Sequence, residues 1–163
     1  MDGIHQNRKD ILACEPKWKT QGCFLEDQKF YIGVKALIIN LRNEALVLLK
    51  SPHKKTHRFK PYWGLPGGKI KNHTIEQTLA REVREELGIS RIRILGPFGA
   101  AKANFRINGG KDNLMFIVYK CSIPPGSRIR LSAEHSGYSW VSMRKARRLL
   151  SFEFPKELLR TPR

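Results

Sequence analysis

Glu82, Glu85 and Glu86 stand at i, i+3 and i+4 in the sequence. On a helix that spacing puts three carboxylates on one face. The flanking residues carry the helix signals. Thr74-Ile75-Glu76-Gln77 fits a capping box, in which Thr74 accepts from the Gln77 amide and Gln77 reaches back. Leu79, Val83 and Leu87 follow at four-residue spacing as an apolar face, and Gly88 supplies a C-terminal stop. Glu82 and Glu86 repel each other at i,i+4, at about 0.2–0.5 kcal/mol in an isolated helix. Arg81, four residues before Glu85, offsets part of this repulsion. A cation offsets the rest more directly, and carboxylate oxygens are hard ligands suited to Mg²⁺ or Mn²⁺. Charged helix faces are common, so the context carries the assignment. Gly67-Gly68-Lys69 lies just upstream, and glycines before a helix let backbone come close to phosphate oxygens. The chemistry that joins these parts is metal-assisted attack on a phosphate.

The elements that must position this helix are strands. Tyr31–Asn40 and Ala45–Lys50 are β-rich runs, and Leu41-Arg42-Asn43-Glu44 between them reads as a hairpin turn. Residues 51–61 form a polar, basic loop bounded by prolines. Tyr62–Leu65 is a short strand, broken by Pro66-Gly67-Gly68. After the helix, Ile92–Phe98 is a strand, and residues 102–121 read as a second hairpin around Asn108-Gly109-Gly110, with Leu114–Tyr119 buried. Tyr138–Val141 is a further strand. Ser142 caps a basic helix over Met143–Leu150, and Pro155–Leu159 begins a last short one. The order β-β-β-α-β-β-β-α implies an α/β fold with a mixed sheet flanked by helices. Residues 1–29 read as an N-terminal extension and 30–163 as one domain.

The 163 residues fit such a domain without disulfide staples. Cys14, Cys23 and Cys121 form no closed disulfide set, which implies a reducing compartment, and the chain is expected to be cytoplasmic. Apolar runs such as Ala36–Ile39 and Leu114–Val118 are far below the roughly 20 residues of a membrane helix. The net charge is +17, from 31 Lys and Arg against 14 Asp and Glu, and calls for an anionic partner. Residues 50–71 hold seven basic residues and no acid, and residues 140–163 hold seven against Glu153 and Glu157. Residues 74–88 carry −2, which leaves the rest of the chain at +19. The acids are gathered where a cation would sit, within a surface that attracts polyphosphate.

Leu65-Pro66-Gly67-Gly68, followed by Arg81-Glu82-Val83-Arg84-Glu85-Glu86-Leu87-Gly88-Ile89, resembles the Nudix box, GX5EX7REUXEEXGU with U apolar. The second half matches at every specified position. A β-hairpin before the box, Trp63 and Leu65 ahead of the glycines, and Glu134-His135 followed by Tyr138-Ser139-Trp140-Val141 agree with it. The first half departs from the pattern. His73 stands where the family usually has glutamate, and the loop is one residue shorter. That departure implies a weaker preorganisation of Arg81.

The resemblance covers residues 30–152 and implies a Nudix-type α/β/α sandwich. It also implies metal-dependent hydrolysis of a nucleoside diphosphate linked to another moiety: a nucleoside triphosphate, a dinucleoside polyphosphate, or a nucleotide sugar such as ADP-ribose. By the same resemblance Glu82, Glu85 and Glu86 hold Mg²⁺ or Mn²⁺, the Gly67 carbonyl adds a ligand, and Arg81 orients a carboxylate. The general base is Glu85 or Glu134. Gly67, Gly68, Lys69, Arg58, Lys60 and Trp63 are the candidate substrate contacts. Plainer readings stand beside several of these: a solvated basic loop for Arg58 and Lys60, core packing for Trp63, an exposed loop acid for Glu134. Two other functions compete. The basic blocks suit an RNA 5′-end pyrophosphohydrolase, and the His73 departure suits a Nudix-fold nucleotide- or RNA-binding module without turnover. A homodimer is compatible with the sequence, and a membrane partner is not expected.

Overall fold

The parallel pairing of the first strand with a strand some eighty residues later organises the molecule. The structure is a computed structural model, and it describes residues 29–51, 61–107 and 112–158. Strand β1 (Phe30–Ile38) runs parallel to β5 (Asn113–Ser122), and β5 pairs antiparallel with β4 (Arg93–Lys102). This makes a mixed three-stranded sheet in the order β1-β5-β4. A second, antiparallel sheet has the order β3-β2-β6, from β3 (Tyr62–Gly64), β2 (Glu44–Lys50) and β6 (His135–Ser142). Helix α1 (Ile75–Leu87) joins β3 to β4, and α2 (Met143–Leu149) follows β6 and ends in a 3-10 turn, Leu150–Phe152.

Both faces of β1 from Gly33 to Ile38 and of β2 from Ala45 to Leu48 are buried, which is why these stretches read as nearly unbroken apolar runs. Alternate residues face opposite ways. Val34, Ala36 and Ile38 of β1, with Leu46 and Leu48 of β2, pack against Leu79, Val83 and Leu87 of α1. Leu37 of β1, with Ala45 and Val47 of β2, packs on the other side with Ala146 of α2, Leu150 and Phe154. The expected α/β/α layering therefore stands. Each fully buried Leu or Val stabilises it by roughly 1.5–3 kcal/mol relative to exposure.

Helix α1 forms where the sequence places it. Thr74 Oγ1 accepts from the Gln77 amide at 3.2 Å, and Gln77 Oε1 accepts from the Thr74 amide at 3.0 Å. Gly88 ends the helix in the left-handed region (φ 69°), its N–H donating to the Arg84 carbonyl. Ser142 caps α2 by accepting from the Lys145 amide.

Three local readings change. The turn after β1 does form, with Asn40 N–H donating to the Glu44 carbonyl and an Ile39–Ala45 bridge. Beyond it β1 and β2 part into different sheets, so the hairpin is only its tip. The strand expected to end at Phe98 continues to Lys102, because register shifts at Gly96 and Gly99 absorb Pro97 on an edge strand. After Pro155, the described residues 156–158 form a turn rather than a helix. The Asn108–Gly110 turn lies outside the described residues.

Candidate active site

The glycine loop runs alongside β1 and pairs with it through backbone bonds and a Gly33–Lys69 bridge. On the edge of β1 not taken by β5, the Val34 amide donates to the Gly68 carbonyl at 2.9 Å and the Ala36 amide to the Pro66 carbonyl at 2.8 Å. The Ile70 amide returns a bond to the Ile32 carbonyl at 2.9 Å. This close approach is what demands glycine. Gly67 has φ +136°, and a Cβ there would lie 2.1 Å from the Val34 carbonyl oxygen. Gly68 is needed for a different reason: its Cβ would lie 2.3 Å from Oε1 of Glu82. The helix carboxylate thus rests directly on loop backbone.

Glu86 meets the same loop one turn further on. Its Oε2 accepts from the Gly67 amide at 2.9 Å. The side chain is buried, and burial pushes its carboxyl up to about 7, against the pull of Lys35 and the Gly67 amide and with help from the like charge of Glu82. Arg81 donates to Glu82 through Nη2 and to Glu85 through Nη1, the latter at 2.9 Å. Glu85 is half-exposed and lies on the outer side of the group. With Glu85 drawn to Arg81, no three Asp, Glu, His or Cys side chains among the described residues are gathered into a metal-binding group. What the loop and α1 do bring together is Arg81, Glu82, Glu86, Gly67 and Gly68, with Glu85 at the rim.

The remaining expected residues, where described, make other contacts. Lys69 lies with its Nζ 4.5 Å from the centroid of the Tyr31 ring. Trp63 is half-buried and packs against the core. Glu134 is exposed, and its backbone carbonyl accepts from the Ser51 amide. His73 is exposed just before the Thr74 cap. Arg58 and Lys60 lie outside the described residues.

Three buried polar residues join the site without having been expected there. Lys35 donates to the Leu65 carbonyl at 2.9 Å and pairs with Glu153 Oε1 at 3.0 Å. Burial works to strip its proton, but the charges of Glu153 and Glu86 outweigh that and hold the ammonium above its ordinary pKa. Glu153 also accepts from the Leu65 amide, through Oε2 at 3.2 Å. His135 places Nε2 3.9 Å from Glu86 Oε1. Burial, with Lys50 and Lys35 nearby, lowers its pKa to about 4, so the imidazole is neutral at pH 7 and this approach is no ion pair. Its Nδ1 is buried without a hydrogen-bond partner among the described residues. One signal was available: a lysine in the otherwise apolar Gly33–Ile39 run is out of place unless it is paired.

An aromatic group borders this cluster. Tyr62 and Phe152 have ring centroids 4.6 Å apart, and Phe105 stacks on Phe152 at 5.8 Å and 20°. Phe152 is exposed, and Tyr62 lies within the electrostatic reach of Glu153, Lys35 and Glu86.

The NUDIX domain family profile matches residues 30–161. A comparison with curated proteins finds no match. Among solved structures, the MutT protein from Methanosarcina mazei Go1 is 30% identical, with TM-score 0.64 over 82% of this chain and 92% of that one. The E. coli ORF135 protein is 23% identical, with TM-score 0.57 over 75% of this chain and 80% of that one. A C. elegans Ap4A hydrolase is 18% identical, with TM-score 0.61 over 79% of this chain and 92% of that one. The last two share the fold.

Proposed function

This chain belongs to the Nudix hydrolase family and is a Nudix-type pyrophosphohydrolase, and from that premise we propose that it cleaves the pyrophosphate bond of a small nucleotide at the Gly67–Gly68/α1 junction. The family acts on small nucleotides and generally uses divalent metal ions. The substrate class is a nucleoside diphosphate joined to a further group: a nucleoside triphosphate, a dinucleoside polyphosphate or a nucleotide sugar.

One observation carries the reading: Glu82 and Glu86, one helical turn apart, both contact the glycine loop from the same side. This donor set suits Mg²⁺ or Mn²⁺. It is all oxygen, and Glu86 is a buried carboxylate whose charged form has no directly bonded cation among the described residues. Glu82 and Glu86 would hold the ion, with Glu85 the outer ligand and the Gly67 carbonyl a further one. A divalent ion bound there neutralises phosphate charge and acidifies a water.

The chain's own residues do the rest. Arg81 fixes Glu82 and Glu85 through charge-assisted bonds. The Gly67 amide fixes Glu86, and the bare Gly68 leaves room for Glu82. Glu85 and Glu134 are both exposed carboxylates able to take a proton from the attacking water. Phe152, with Phe105 and Tyr62 behind it, offers a ring face for a nucleobase.

The test is a panel of nucleoside triphosphates, dinucleoside polyphosphates and nucleotide sugars, assayed with Mg²⁺ and with Mn²⁺. Turnover of at least one class is expected, and it should vanish in Glu82→Gln/Glu86→Gln. Turnover that survives the double substitution would refute the metal assignment. A second reading, hydrolysis at an RNA 5′ end, draws on exposed Arg144, Lys145 and Arg148 of α2. It requires RNA affinity that falls steeply with salt.

A further inference from the structure

Lys35 and Glu153 are among the most deeply buried charged residues described, 7% and 2% exposed, and they come from opposite ends of the domain. Their contacts converge on one residue. Lys35 Nζ donates to the Leu65 carbonyl, Glu153 Oε2 accepts from the Leu65 amide, and Lys35 Nζ and Glu153 Oε1 meet at 3.0 Å. Leu65 is therefore held by both its N–H and its C=O. Its side chain is also buried, 2% exposed. Two residues on, the Gly67 amide holds Glu86, and the next residue carries Glu82 on its backbone.

The surroundings confine the pair to this geometry. The Lys35 ammonium lies 5.1 Å from the centroid of the Phe116 ring, and Phe116 packs on Phe154 with ring centroids 5.4 Å apart. A Cβ added at Gly64 would fall 2.9 Å from Glu153 Oε2, so the carboxylate also lies against the backbone at the end of β3. Residues from β1, from the segment after α2 and from the loop after β3 thus form one closed polar unit in an apolar layer. A buried ion pair is weak evidence of a stability role, since apolar residues of similar volume often serve stability as well. Its alternative value is positional, because charge-assisted bonds have a fixed length and direction.

We propose that Lys35 and Glu153 are positioning residues of the hydrolase: they clamp the Leu65 peptide groups and so set where the Gly67 amide and Gly68 backbone stand beneath Glu86 and Glu82. The proposal rests on the active-site reading above. It assigns no contact with substrate or metal to either residue. Lys35 also attracts the Glu86 charge directly, whereas Glu153 reaches the carboxylates through three residues of backbone, Leu65 to Gly67, so Glu153→Gln isolates the clamp.

The decisive variant is Lys35→Met/Glu153→Leu, which replaces the pair by apolar side chains, beside Glu153→Gln, which keeps volume and an acceptor for the Leu65 amide. Three readouts are taken on each full-length protein: thermal midpoint, the ¹H–¹⁵N resonance of Gly67 in metal-free protein, and kcat and KM with Mn²⁺ titrated. In the double variant the midpoint should stay within a few degrees of wild type. The Gly67 amide proton should move upfield as its bond to Glu86 lengthens. The Mn²⁺ concentration for half-activation should rise about tenfold, and kcat should fall about tenfold with KM nearly constant. Glu153→Gln should show the same changes at smaller size. A Gly67 resonance, kcat and Mn²⁺ requirement all at wild-type values in either folded variant would overturn the proposal and leave the pair a packing feature. The Gly67 resonance needs no turnover, so it tests the clamp even if the hydrolase reading fails.

Discussion

Replacing Glu86 by Gln should make the metal-free protein more stable while it destroys the site. Burial holds the Glu86 carboxyl at about 7 rather than 4.5. At about 1.4 kcal/mol per pKa unit, ionising it inside the fold costs about 3 kcal/mol. Between pH 4.5 and 7 the folded state then binds more protons at this group than the unfolded chain does. Stability must fall as pH rises through that window and level off above it. Gln is isosteric, accepts the Gly67 amide through its own carbonyl oxygen, and does not titrate. The measurement is urea unfolding in EDTA at pH 5 and pH 8, for wild type and Glu86→Gln. Between the two pH values wild type should lose about 2–3 kcal/mol more than the variant. Added Mn²⁺ should reverse the order. An ion at a thousand times its Kd stabilises wild type by about 4.1 kcal/mol, enough to exceed that cost, and the variant should gain far less. Equal pH dependence in the two proteins would refute the argument, because Glu86 would then ionise in the fold without cost.

The remaining predictions concern the loop, the cap and the aromatic group. In Gly68→Ala the new Cβ competes with Glu82 Oε1 for one position, so kcat/KM should drop on the order of 100-fold, about 2.7 kcal/mol in the transition state. A soluble variant of wild-type activity would show that Glu82 need not rest on that backbone. Thr74→Ala removes one half of the capping box and should cost about 1 kcal/mol, read as a thermal midpoint lower by about 2–4 °C. No change in midpoint would mean that water replaces the cap at no cost. Phe152→Ala should raise KM for a purine nucleotide several-fold while kcat and midpoint hold, since the ring is 43% exposed. An unchanged KM would remove Phe152 from substrate contact.

Helix α1 was legible in full because its determinants are local. The cap, the apolar stripe, the acidic face and the glycine stop all lie within residues 74–88. The partner of β1 was not legible, because the turn after it forms locally while its strand neighbour β5 lies far along the chain. The same limit applies to the site. The sequence marks Glu134 as the interesting acid of its segment, yet Glu134 lies exposed in the turn before β6, while His135, the first residue of β6, is buried. Trp63 packs against the core and Lys69 lies over the Tyr31 ring, contacts set by residues distant in sequence. Lys35 and Glu153 each look anomalous alone, a charge among apolar neighbours. Only folding brings the two to 3.0 Å.

The pairing of the glycine loop with β1 also bears on solubility. The strand Val34-Lys35-Ala36-Leu37-Ile38 is apolar apart from one lysine, and with a bare edge it would be a template for another chain. β5 covers one side, and residues 66–70 cover the other through backbone bonds at Ile32, Val34 and Ala36. The segment that meets the carboxylates is thus also the seal on an aggregation-prone edge. Damage to it at Gly68, where only a side-chain tip must move, leaves a soluble, inactive protein. Damage at Gly67, where a Cβ would collide with β1 itself, pries the seal open, and the loss appears first as insoluble protein.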